Sequence, residues 1–268
     1  MAITSLDGII AGTRPPEGFR KEGAAMQGAG RLHSLFYAAG IPGAAAVPSP
    51  GLAGAALTTY AGQLPWTNPS SGRSYVSRFF AASTGLGACL LLDRLWHNSG
   101  IVVTTVTAQT LNSVAWPARD RDGTTAGEGV MIALEVSTVL DHVADVTTCT
   151  MSYTNQSGTA GRTGTLAVIP ALAAAGTFLP FSLQTGDTGV RSVQTITLGT
   201  SLIAGAVHLV AYRTLVGVPH PVANLGAGVN PVSGGFTRCY DSTVPFLVWA
   251  ANSTAAVTVT GQMTIAQG

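Results

Sequence analysis

The sequence predicts an all-β protein: a β-sandwich of jelly-roll type with an extended, mostly irregular N-terminal arm. Three observations carry this. From about Ser74 onward, apolar and polar residues alternate with period 2 in one segment after another. Glycine-rich turns separate those segments, and no helical pattern of about 10–15 residues intervenes. Before residue 72 the chain is dense in Gly, Ala and Pro, as in GIPGAAAVPSPGLAGAALTTYAG (40–62), with no sustained period of either kind.

Taken in order, residues 1–71 are expected to form the arm and residues 72–268 the sandwich. Within the arm one short helix is expected at Arg31–Ala39, and Pro and Gly punctuate the rest too often for regular elements. The arm lacks the charge of a solvated linker, so it needs a surface to lie on, either its own domain or a neighbouring subunit. Deleting residues 1–60 should on this reading leave a folded oligomer. The expected strands are Tyr75–Ala82, Ala88–His97, Ile101–Thr107, Val130–Val136, Cys149–Tyr153, Leu166–Ile169, Phe178–Leu183, Ser192–Leu198, Val207–Leu215, Phe246–Ala250 and Val257–Ile265. In Cys149, Met151 and Tyr153, inward positions alternate with Thr148, Thr150, Ser152 and Thr154, as a half-buried strand requires. Turns are expected at STGLG (83–87), NQSG (155–158), TGDTG (185–189) and VSGG (232–235). VHLVAYRTL (207–215) and PFLVWA (245–250) are apolar on both faces, so each is either central in the fold or packed against a partner.

Composition narrows the function classes. Of 268 residues only 25 are charged, 13 basic and 12 acidic, which is 9%; 46% are apolar, and a single lysine, Lys21, stands among them. Disorder throughout is excluded, because disordered chains are poor in apolar residues and rich in charge. A net charge of +1 does not support direct nucleic-acid binding by phosphate neutralisation. No stretch is long and apolar enough for a helical membrane span, and the first 25 residues carry six charges in place of the pattern of a secretory signal. Cys89, Cys149 and Cys239 are odd in number and far apart, so buried free thiols are expected.

No catalytic motif emerges. G-x-S-x-G is absent, Lys21 follows no phosphate-binding loop, and GAGRLH (28–33) and GAGVN (226–230) lack the third glycine of a dinucleotide fingerprint. His33, His97, His142, His208 and His220 stand apart, so no metal and no cofactor are expected. In ARDRDGTTAGEG (118–129), Asp120, Asp122 and Glu128 faintly resemble a calcium loop, but Arg119 and Arg121 would neutralise it; an exposed Arg/Asp loop or an intersubunit ion-pair cluster is expected. In LLLDRLWHNSGI (90–101), Asp93 and Arg94 should pair with neighbours while Trp96 anchors the sandwich or an interface, the alternative being a Trp96–His97 ligand platform. Asp187 and Arg191 flank the TGDTG turn and are expected to pair across it. The interface candidates are therefore Trp96, His97, Arg119, Asp120, Arg121, Asp122, Asp187 and Arg191.

A surface this poor in charge suits a permanent assembly. DRLWHNSGI (93–101), SVAWPARDRDG (113–123), MSYTNQSGTAGRTGT (151–165), LQTGDTGVRSVQTITL (183–198) and HLVAYRTL (208–215) together resemble virion structural proteins of tailed bacteriophages, of the head decoration or minor capsid type. The resemblance covers about residues 72–216 and carries no signature after Val216. It implies a non-enzymatic β-sandwich with no catalytic residue to carry over. The expected role is a capsid decoration or cement protein, a homo-oligomer and most simply a trimer, bound to the major capsid protein in a virion assembled in the host cytoplasm. The alternatives are a tail-tube or collar subunit and a carbohydrate-binding jelly-roll module.

Overall fold

The computed structural model describes residues 5–23, 28–235 and 237–268. In chain order the described residues form α1 (Leu6–Gly12), β1 (Glu17–Glu22), β2 (Leu32–Ser34), β3 (Ala39–Ile41), β4 (Ala55–Ala56), β5 (Ser74–Ser83), β6 (Gly87–His97), β7 (Gln109–Thr110) and β8 (Met131–Asp141). There follow β9 (Thr150–Asn155), β10 (Arg162–Thr165), β11 (Thr177–Pro180), β12 (Val190–Thr197), β13 (Ala204–His220), β14 (Ala227–Val229), α2 (Pro231–Gly234), β15 (Thr237–Cys239), β16 (Pro245–Ala251) and β17 (Thr258–Gln267). The fold is all-β and antiparallel, as expected. The chain divides into two compact units, one of Met1–Ala45, Thr59–Asp93 and Thr214–Gly268, the other of Ala46–Thr58 and Arg94–Arg213.

The first unit holds a sheet in the order β14–β5–β17–β1–β3, with β15 also on β5. Its axis is β17, which pairs with β5 on one side and β1 on the other, placing Val259 opposite both Ser83 and Lys21. A second group, β2–β16–β6, sets Trp249 opposite His33 and Cys89. The core lies between them: Phe19, Phe79, Val259 and Met263 pack with Leu91, Leu247 and Trp249. Gly261 makes this possible, because a Cβ there would meet the Phe19 ring and the Phe80 carbonyl.

The second unit holds the sheet β10–β9–β12–β7 and the group β13–β8–β11. Their inner faces supply one core, in which Met151, Tyr153, Val193 and Ile196 meet Ile132, Leu134, Val136 and Leu209. The period-2 reading of Cys149, Met151 and Tyr153 holds, since these three are buried while Thr150, Ser152 and Thr154 are partly exposed. Cys89, Cys149 and Cys239 are buried free thiols. Both doubly apolar segments are buried within the chain: β16 pairs on two sides with β2 and β6, and Val207–Tyr212 pair with β8.

Several expectations change. Residues 1–71 are shared between both units, and β1 is an interior strand with Phe19 and Lys21 buried. Deleting residues 1–60 would therefore remove part of a core. Arg31–Ala39 is not a helix: Leu32–Ser34 pairs with Val248–Ala250, and Phe36 packs edge-on against Phe246, so cross-strand contacts outcompete local helical spacing. Ile101–Thr107 is not a strand, because the Gln109 side-chain amide takes both the amide and the carbonyl of Val102. Leu166–Ile169 is reduced to one bridge, Val146 to Ile169, just before Pro170. VSGG (232–235) lies largely in the short helix α2, capped by Asn230.

Candidate functional site

In the second unit five ionic groups, Arg94, Arg119, Asp120, Glu135 and Arg213, turn inward. Arg94 on β6 and Glu135 on β8 are fully buried and meet through two parallel bonds, Nη1 to Oε1 at 3.0 Å and Nη2 to Oε2 at 2.6 Å. The remaining guanidinium edge donates from Nε to His97 Nδ1 at 3.2 Å, so that ring is a neutral acceptor. Burial, helped by the Arg94 cation, holds His97 down at about 3. Beyond it, His208 Nδ1 lies 2.8 Å from the Asn98 carbonyl and Nε2 lies 2.6 Å from the Ser137 hydroxyl, which sets the tautomer with the proton on Nδ1. Arg119 is buried as well and donates to the carbonyls of Leu57 and Arg94. These bonds all run to neighbours in the same unit and make the cluster a bracing network.

The 118–129 loop closes around Asp120. Its Oδ1 accepts from the amides of Asp122 and Thr124, and its Oδ2 from the Thr124 hydroxyl and the amides of Gly127 and Glu128. Burial pushes the carboxyl up, yet these donors outweigh it and leave its pKa lowered. A carboxylate ringed by N–H and O–H groups presents hydrogens where a cation needs lone pairs, so the calcium-loop likeness fails at Asp120. Arg121 is exposed and pairs with Asp122 and Glu128. Among the described residues no group of three or more His, Cys, Asp or Glu side chains gathers as metal ligands would.

Asp187 pairs with Arg162 and not with the expected Arg191. Arg162 Nε lies 2.8 Å from Oδ2, and Tyr153 and Asn155 donate to the same carboxylate. The Arg162 bonds, against burial and with the Tyr153 and Asn155 donors, hold Asp187 at about 2. Arg191 is exposed. Of the eight interface candidates, then, Trp96, His97, Arg119 and Asp120 are buried inside their unit, Asp187 is locked in a local pair, and Arg121, Asp122 and Arg191 lie on the surface. Trp96 packs edge-on against Trp116 and donates to the Ala53 carbonyl, so it anchors the unit's own core.

In the first unit, too, ionic groups lie inside. Lys21 donates to the carbonyls of Ala38, Pro42 and Gly43 at 3.2, 2.7 and 3.1 Å, and burial brings its ammonium down to about 8. Asp93 Oδ1 accepts from the Val244 amide. Burial, with the Arg31 cation, lowers His33 to about 4. Sequence reasoning missed Lys21 because an inward lysine between polar neighbours carries no signal of its carbonyl cage. An open cleft of about 420 Å³ lies between α1 and the end of β17, lined by Gly8, Gly12, Arg14, Ser70 and Gln267 among others. Arg14 is its one charged group, and no nucleophile–base pair faces it.

What remains outside is short of charge. Seven of the 25 charged residues, Lys21, Asp93, Arg94, Arg119, Asp120, Glu135 and Arg213, are buried. Large apolar side chains stay uncovered, including Leu6, Ile10, Val139, Val143, Leu172 and Ile203, each more than half exposed. Of the four tryptophans, Trp96, Trp116 and Trp249 are buried and Trp66 is bonded to Asn68. None of the three buried rings is available as a sugar-stacking platform.

No family model matches the chain, and no curated protein matches it. Among solved structures it is similar to infectious bursal disease virus VP2 in a crystallised subviral particle, at 9% identity over 96% of this chain and 81% of that one, with a TM-score of 0.18. A mutant VP2 of the same virus in T=1 particles shows 10% identity over 95% and 77%, with a TM-score of 0.18. The Gx strain structure shows 13% identity over 76% and 46%, with a TM-score of 0.16. TM-scores this low carry no residue-by-residue correspondence.

Proposed function

We propose that this chain is a non-enzymatic virion structural protein, a capsid decoration or cement subunit of a tailed-phage head. It would act as a homo-oligomer, a trimer, seated on the major capsid protein. One observation carries the reading: a chain with 9% charged residues encloses seven of its 25 charges and leaves large apolar side chains in solvent. Ordinary soluble domains carry about 25% charge, and exposed apolar clusters mark surfaces that meet other proteins. The ionisable groups brought together are consumed as braces, which supports a scaffold and not a reaction centre. The N-terminal segment adds contact area through the exposed Leu6, Ile10, Ile41 and Val47. Repeated weak contacts on a preformed lattice bind through effective concentration, without a large single interface.

The test is the native mass of the purified chain, followed by co-sedimentation with phage heads that lack it. A trimer that sediments with heads is expected. Sixfold or twelvefold rings would move the assignment to the tail tube or collar. A monomer at high concentration that leaves heads unbound would overturn the proposal.

A further inference from the structure

We infer that copies of this chain join head to tail, with helix α1 and Arg14 of one copy seated on the acidic, apolar end of the second unit of the next copy. This rests on the assembling role proposed above and adds which surfaces meet.

The donor surface is α1. Its seven residues bury no side chain, and Leu6 and Ile10 are 71% and 65% exposed. Four residues apart, they share one face, and the exposed Arg14 lies two residues past the helix, in extended chain bonded to Ile265. Isolated helices below about 12–15 residues are marginal in water, so a seven-residue helix with an uncovered apolar face gains most from a second surface. Arg14 and Arg73 both flank the end of β17, through the bonds Arg14 N to Ile265 O and Gly268 N to Arg73 O, which sets two cations at the C-terminal end of α1, away from the first turn that carries Asp7.

The receiving surface is one end of the second unit. Val139, Val143, Leu172 and Ile203 are 55%, 85%, 62% and 58% exposed. Short bonds hold their backbones together: Ile203 N to Asp141 O, Leu140 N to Ala173 O, and Ala171 N to Asp145 Oδ1. Asp141 and Asp145 are exposed among them, and segments 137–146, 170–176 and 200–206 contain no Lys or Arg. Two such ends facing each other would oppose carboxylate to carboxylate, which disfavours a twofold pairing of this face. A surface that offers apolar side chains next to a guanidinium is its complement, and α1 with Arg14 offers both. An interface between two different faces closes into a ring or extends into a filament, and ring closure suits a trimer.

The test uses Ile10→Asp and Val143→Asp in the full chain, with sedimentation and native mass as readouts. Both sites are exposed, so thermal unfolding should match the wild type and show that each variant is folded. Wild type is expected to assemble, and each variant alone to run as a single chain of 27.2 kDa. Mixing the two variants should restore a two-chain species, because the Val143 variant keeps an intact α1 and the Ile10 variant an intact receiving face. Variants that retain the wild-type mass, or a mixture that stays single-chain, would overturn the head-to-tail contact while leaving the assembling role standing. A wild-type chain that is single at every concentration overturns both.

Discussion

The two units solve one problem differently. The second buries opposite charges against each other, as Arg94 with Glu135, and turns the remaining Nε edge of the guanidinium to His97. The first buries a lone cation, Lys21, and answers it with three backbone carbonyls from the two ends of β3. The difference teaches that scarcity of charge has two parts here. Few ionic residues are encoded, and seven of the 25 are placed where they define the interior, so only 18 are left to meet solvent.

The sharpest way to break the comparison is Glu135→Ala. It leaves a fully buried guanidinium unpaired, and a loss of about 3–5 kcal/mol is expected. Urea denaturation would read it, and the double variant Arg94→Met with Glu135→Leu should recover most of the loss. If the single variant unfolds no more readily than wild type, the buried pair is not the brace described. In the first unit, Lys21→Met removes the donor to three carbonyls and should cost about 1–3 kcal/mol. A neutral result there would mean that water replaces the ammonium.

Acid should act on both units alike. His97 at about 3 and His33 at about 4 both bind a proton more weakly in the folded chain than unfolded. Stability is therefore complete above about pH 6.5 and falls as the pH drops from there toward the folded values. By pH 5 the His97 contribution alone amounts to about 2 kcal/mol. A thermal midpoint that stays flat between pH 7 and 5 would contradict neutral buried rings. The smallest effect is on reactivity. Burial pushes the Cys149 thiol up to about 12 and Cys89 higher still, so thiol reagents at pH 8 should leave the folded chain unlabelled. On denaturant titration, labelling of Cys89 and Cys239 should track the first unit and labelling of Cys149 the second.

Much of the fold was legible where inward positions are apolar. Met151, Tyr153, Val259 and Met263 announce their strands because alternation follows the pleat. β1 was not legible, because in EGFRKE the inward residues are Phe19 and Lys21, and a lysine reads as solvated until its carbonyl partners are known. Glu135 was hidden for the same reason: Ile132–Val136 is buried on both faces, and the partner that permits a carboxylate there is 41 residues away. Asp187 found Arg162 and not the nearer Arg191, since cross-strand proximity outranks proximity along the chain. Trp96, His97, Arg119 and Asp120 stand out in the sequence as interface candidates, and the structure places all four in the interior of their unit.

Lys21, the single lysine, has one further consequence. With its nitrogen enclosed by the carbonyls of Ala38, Pro42 and Gly43, the folded chain offers no side-chain amine to aldehyde fixatives. Assemblies of it would stay largely uncrosslinked through ε-amines under treatments that weld lysine-rich particles.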